Sequence, residues 1–341
     1  MNKNTISPYT LDSLKYELTS ESALAVYVVL PICLLIIIYD YLLGNGVVIS
    51  SLPENPSSLA LYNMLFGLPH IIAGHSLVLN KEHRGAHRKN ILLGSFLVIM
   101  TIVTASYLLP LYVNLTAFII ITLVHVLRQQ FGLVKVFSSV GGVLVDLWTW
   151  LAIGVVGTLA FVFAAKAQLD PDIIKISYIL VYLLNICFVV LGFFLYRKVV
   201  STKGKYFFLV NLLSVPLATF FYFSGYTFFA ILTIRVIHDT TAFMIYLVHD
   251  KNKNWSKLSK LNAGFISFFT VVLFSIALAF ILENYLIDVI VFFTKSHLSY
   301  AIMSTITLSV IVYIEMMHYY LESKIWKNSS SCRKYVRFNV Q

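Results

Sequence analysis

Long apolar runs alternate with short polar bursts along this chain, and the alternation predicts membrane-spanning helices. A span needs about 20 mainly apolar residues. Candidates lie at 23–43, 58–79, 90–110, 111–131 and 142–165, followed by 173–196, 205–224, 226–248, 264–292 and 298–320, ten in all. Two stretches, 90–131 and 205–248, are nearly continuous, divided only at Pro110 and at Ser224-Gly225-Tyr226-Thr227. Each is too long for one span and has the length of a tight helical hairpin. The expected architecture is an all-α, polytopic transmembrane helical bundle of about ten spans. Residues 1–22 form a polar tail, 23–320 the transmembrane domain and 321–341 a basic tail. No internal repeat or soluble domain interrupts it, and 80–89 and 249–262 read as polar loops.

Composition agrees with this pattern. Of 341 residues, 59% are hydrophobic and 12% charged, and the mean hydropathy is +0.84. Soluble domains carry about 25% charged residues. Cytoplasmic loops collect Lys and Arg, and with the N-terminus inside, 21 of the 25 basic residues fall on the cytoplasmic side. Both termini are therefore expected in the cytoplasm. The net charge of +10 is explained by this topology and by attraction to anionic headgroups, which makes membrane lipids the partners and excludes nucleic acid. The first 22 residues lack the short apolar region of a secretory signal. The chain reads as a multi-pass protein of the bacterial inner (cell) membrane. Cys33, Cys187 and Cys332 are scattered and form no paired motif, so cysteine chemistry is not expected.

The histidines change the picture from topology to chemistry. Eight of nine map to the cytoplasmic half, His297 being the exception. Ionisable side chains inside a bilayer are costly and mark functional sites. His70 lies in span two, His125 in span four, His238 in span eight and His318 in span ten. From the helical rise, His70 and His238 sit roughly 13–15 Å from the inner boundary, and His125 and His318 roughly 3 Å. Together they predict a metal centre assembled from four facing helices. His75 and Glu315 are further candidate ligands. His75 points about 140° away from His70 around the helix, whereas Glu315-Met-Met-His318 has the Glu-x-x-His spacing of di-iron bundles. Gln129 shares a face with His125, Asp239 follows His238, and Arg128 is adjacent to Gln129. These three are expected to orient ligands or position substrate. His83 and His87 have a two-ligand spacing, but they fall in the basic loop, and a single interfacial histidine more often hydrogen-bonds a headgroup or backbone.

Imidazoles with a carboxylate suit iron, zinc, copper or manganese. Access from the bilayer to a hydrophobic small-molecule substrate favours non-haem iron, with oxygen chemistry on C–H or C=C bonds. Two other readings use the same residues: a b-type haem protein with His70 and His238 as axial ligands, and an ion, metal or proton-coupled transporter. Gly67-Leu68-Pro69-His70 resembles the Gly-x-Pro-His motif of the Brp/Blh family of polytopic membrane β-carotene dioxygenases. The resemblance implies a histidine-bound iron with His70 as a ligand, and His125 and His238 as candidates by position. The chain departs from that family at Ile71-Ile72-Ala73-Gly74-His75 and lacks its later HxxxH pair. The overall expectation is a membrane-bound, iron-dependent oxidoreductase (oxygenase) acting on a lipid or isoprenoid.

Overall fold

A computed structural model describes residues 16–52, 67–79, 81–255, 260–294, 300–326, 330 and 332–339. It is 88% helical, with eight helices among the described residues long and apolar enough to cross a membrane. The helices are α1 (Ser20–Leu42), which contains a 3₁₀ turn at Val26–Val28, the short α2 (Val47–Ser51) and α3 (Leu68–Leu79). Then come α4 (Lys81–Leu108), α5 (Leu111–Ser138), α6 (Val143–Ala165), α7 (Pro171–Tyr196), α8 (Thr202–Phe223) and α9 (Thr227–Trp255). α10 (Lys260–Phe268) runs through a π turn at Phe269–Leu273 into α11 (Phe274–Thr294), and α12 (Tyr300–Ile325) closes the bundle.

Local chemistry sets the breaks. Pro110 lacks a backbone N–H and caps α5 in an extended conformation, which makes 90–131 two helices. Gly225 takes φ +88° between α8 and α9, a left-handed conformation that glycine adopts without a Cβ clash. Asp170 accepts a hydrogen bond from the Asp172 N–H and Pro171 opens α7, while Ser201 accepts from the Gly204 N–H at the start of α8.

Burial sorts the helices into a periphery and a centre. Only 11% of the α4 span is buried, and it exposes Leu92, Phe96, Met100 and Val103. α9 is 61% buried although it is the least apolar span. That inversion is expected of a bundle in lipid, where the outside must be apolar and the polar groups face inward. Two described segments far apart in sequence meet on one side of the bundle. Glu17–Thr19 (β1) and Arg337–Asn339 (β2) form a parallel strand pair. Asn252, near the end of α9, bonds the backbone N–H and carbonyl of Tyr16 and the carbonyl of Tyr335.

Three expectations need adjustment. Of the ten expected spans, eight are the membrane-crossing helices above; the expected spans two and ten correspond to α3, with residues 58–66 outside the described residues, and to the 26-residue α12, neither of which is among those eight. The stretch 81–89 is the first turns of α4, not a loop: Arg84, Arg88 and Lys89 are exposed while His83 and His87 are buried, so an amphipathic helix carries the span beyond the apolar run. The tails are also shorter than 1–22 and 321–341, since β1 begins at Glu17 and α12 runs to Ile325. His297 lies outside the described residues.

Candidate metal centre

His70 on α3, His125 on α5, His238 on α9 and His318 on α12 come together inside the bundle, from the four helices expected to supply them. Their rings form a closed circuit, with centroids 5.3 Å apart for His70–His238, 5.2 Å for His238–His125, 5.4 Å for His125–His318 and 5.2 Å for His318–His70. His238 and His125, and likewise His318 and His70, can therefore differ in depth by no more than the 5.2 Å between their rings. The larger expected difference shrinks because α5 and α12 extend beyond the apolar runs, to Ser138 and Ile325.

Two carboxylates divide the circuit into two sets. His70, His238 and Asp239 form one, and His125, His318 and Glu322 the other; in each, three ligand atoms lie within 4.8 Å of one another. Asp239 Oδ1 is 3.3 Å from His70 Nδ1 and 3.9 Å from His238 Nε2. Glu322 Oε2 is 3.1 Å from His125 Nε2 and 3.6 Å from His318 Nε2. Two atoms each about 2.1 Å from one ion, at angles between 90° and 110°, stand about 3.0–3.4 Å apart. Two of the four contacts, at 3.3 Å and 3.1 Å, fall in that range, and the other two are longer. Three of the four are not ordinary hydrogen bonds, because neither ring nitrogen of His238, nor His125 Nε2, nor His318 Nε2, nor Glu322 Oε2 has a hydrogen-bond partner. A buried polar atom left so costs about 1–3 kcal/mol. Lone pairs that converge without bonding one another are what a cation would satisfy.

The surroundings hold Glu322 in place. Its Oε1 accepts from the Tyr246 hydroxyl and, at 3.0 Å, from Trp326 Nε1, which leaves Oε2 facing the imidazoles. His125 stacks on Tyr319 at 4.4 Å. Gly74 lets α3 approach: a Cβ there would stand 2.7 Å from His318 Nδ1 and 2.9 Å from the Tyr246 hydroxyl. A cavity of about 420 Å³ lies beside the centre, and Tyr246 is part of its wall. Ala73, Leu77, Ile266, Phe269 and Phe274 make its apolar side, and His249, Asp250 and Lys253 its polar side. The π turn of Phe269–Leu273 also lines it, a kind of local irregularity common at functional sites.

The remaining expected residues are placed as follows. His75 Nε2 is 2.8 Å from the Ile314 carbonyl, and its ring stands 6.1 Å from His318, outside both sets. Glu315 points elsewhere on α12: it accepts a 3.4 Å hydrogen bond from the Tyr319 hydroxyl and faces the charge of Arg235. Arg128 is exposed, with its guanidinium 5.9 Å over the Trp150 ring. Gln129 keeps both polar atoms buried without a hydrogen-bond partner. Asp239 is in the first set. Glu322 was not anticipated, although its signal is present as His318-x-x-x-Glu322, an i,i+4 pair on one helical face. It sits in a stretch with the character of a polar tail, beyond the apolar run. A third group, His83, His249 and Cys332, was not anticipated as a unit.

Fold and site together define a class: a multi-pass helical membrane protein with buried histidine–carboxylate groups that can hold metal. Compared with protein-family models, curated proteins and solved structures, the chain matches none of them.

Proposed function

We propose that this chain is an integral membrane metalloenzyme, a non-haem iron oxidoreductase with two adjacent metal positions, acting on a lipid or isoprenoid drawn from the bilayer. The observation that carries the proposal is the pair of His₂–carboxylate sets sharing one circuit of imidazoles. Two histidines and one carboxylate, with coordination positions left open, suit non-haem iron in oxygen chemistry. Bound there, iron would supply oxidation of C–H or C=C bonds with O₂.

The chain's own residues do the rest. His70, His238 and Asp239 hold one ion, and His125, His318 and Glu322 the other. Tyr246 and Trp326 fix the Glu322 carboxylate, and the adjoining cavity admits an apolar chain along Phe269 and Phe274. The close packing of His70 and His238, 5.3 Å between ring centroids and nearly perpendicular, favours non-haem over haem iron, because two axial ligands must leave room for a porphyrin between them.

The test is elemental analysis and an optical spectrum of protein purified from its membrane. About two iron ions per chain and no Soret band are expected. A Soret band, or Ala variants at His70, His125 and His238 that all keep the parent's metal content, would overturn the proposal.

A further inference from the structure

The group formed by His83, His249 and Cys332 is separate from the centre above. His249 follows His238 by eleven residues on α9, about 16 Å along a helix. The three residues come from α4, α9 and the C-terminal segment, and all three are buried. Their ligand atoms lie within 4.8 Å of one another, and the rings of His83 and His249 are 5.3 Å apart. His249 Nε2 has no hydrogen-bond partner. Cys332 is not part of a disulfide. Chain segments this far apart in sequence, each delivering a metal-binding side chain to one buried point, need a reason beyond packing.

We propose that His83, His249 and Cys332 bind zinc or a zinc-like divalent ion, forming a structural clasp that fastens the C-terminal segment to α4 and α9. A thiolate with two imidazoles is a ligand set for zinc. Three protein ligands leave one tetrahedral position, and His87 stands one helical turn beyond His83 with its Nδ1 buried and without a hydrogen-bond partner. The clasp has an evident load. Tyr335 lies against both imidazoles, at 6.2 Å and 5.1 Å between centroids, and its carbonyl bonds Asn252, which also holds Tyr16. The ion would thus secure β2, and through it β1, at the end of the bundle beside the cavity that His249 lines. This inference is independent of the iron reading, because the iron centre contains no thiolate.

That difference supplies the test. The full chain in detergent, stripped with a chelator, is titrated with cobalt(II). A thiolate-to-cobalt charge-transfer band is expected in the parent and in His238→Ala, and its loss in Cys332→Ser. A parent without the band, or a band that persists in Cys332→Ser, overturns the proposal. The second measurement needs no variant. Alkylation of Cys332 in the parent is followed by mass spectrometry with added zinc and after chelation, with Cys33 and Cys187 as internal controls. Severalfold slower labelling of Cys332 alone in the presence of zinc is the expected result; a rate indifferent to zinc overturns the proposal.

Discussion

Two interiors sit side by side in this bundle and obey different rules. Around Trp148, the helices α5 to α8 build an apolar core. The indole stacks on Phe188 at 5.0 Å and on Phe208 at 4.6 Å, with Phe131 edge-on at 4.6 Å, and its one polar atom, Nε1, donates to the Phe188 carbonyl. Nothing in that contact set lacks a partner. Around His238, the helices α3, α5, α9 and α12 bury four imidazoles and two carboxylates, and both ring nitrogens of His238, His318 Nε2 and Glu322 Oε2 make no hydrogen bond. The contact set around Trp148 is complete as protein. The second interior gathers groups that could hold a metal ion, and α5 serves both, presenting Phe131 to one and His125 to the other.

The largest expected effect separates the two interiors by what each loses. Trp148→Ala should cost about 3–5 kcal/mol of stability, read as a lowered Tm in detergent, while the folded fraction keeps its metal. His238→Ala should do the reverse: removing a buried imidazole that makes no ring hydrogen bond spares most of the stability and at least halves the iron per chain. Equal metal loss in both variants would mean that the two interiors form one cooperative unit.

How far each interior can be read from sequence follows the same division. Eight of the ten spans were legible because lipid demands unbroken apolar runs, and the breaks at Pro110 and Gly225 fall where backbone chemistry requires them. The four histidines were legible because imidazoles are rare in such runs. The carboxylate of Glu322 was not, since an apolar stretch ends before the helix does and polar residues past it resemble a tail. Only the extension of α12 to Ile325 carries Glu322 back over His125. His83 was obscured for the same reason at the start of α4. Cys332 was illegible because the packing of β2 against β1, which brings it to His249, depends on contacts more than 300 residues apart.

A pair of glycines gives an intermediate test. Each lies where a helix approaches one of the interiors. At Gly192, a Cβ would stand 2.5 Å from Leu212 Cδ1 and 2.8 Å from Trp148 Nε1; at Gly74, it would meet His318 and Tyr246. Either Ala variant should cost about 1–3 kcal/mol through overpacking, so stability alone does not distinguish them. Metal affinity does: Gly74→Ala displaces His318 and the hydroxyl that fixes Glu322, and should weaken iron binding, while Gly192→Ala leaves it intact. Matched losses of affinity would refute the idea that α3 is placed to bring its backbone up to His318.

The smallest expected effect comes from the surface of the shared helix. Arg128 is less than one turn from His125, and sequence alone puts it among the groups that position substrate. In the folded chain its guanidinium lies over Trp150 on the exposed side of α5. An exposed cation–π contact is worth about 0.5–1 kcal/mol, so Arg128→Ala should shift Tm slightly and leave iron content and oxygen consumption at parental values. If the variant instead loses turnover at unchanged iron content, Arg128 reaches the substrate from the membrane side. The boundary between the two interiors would then have to be drawn through α5 at a different face.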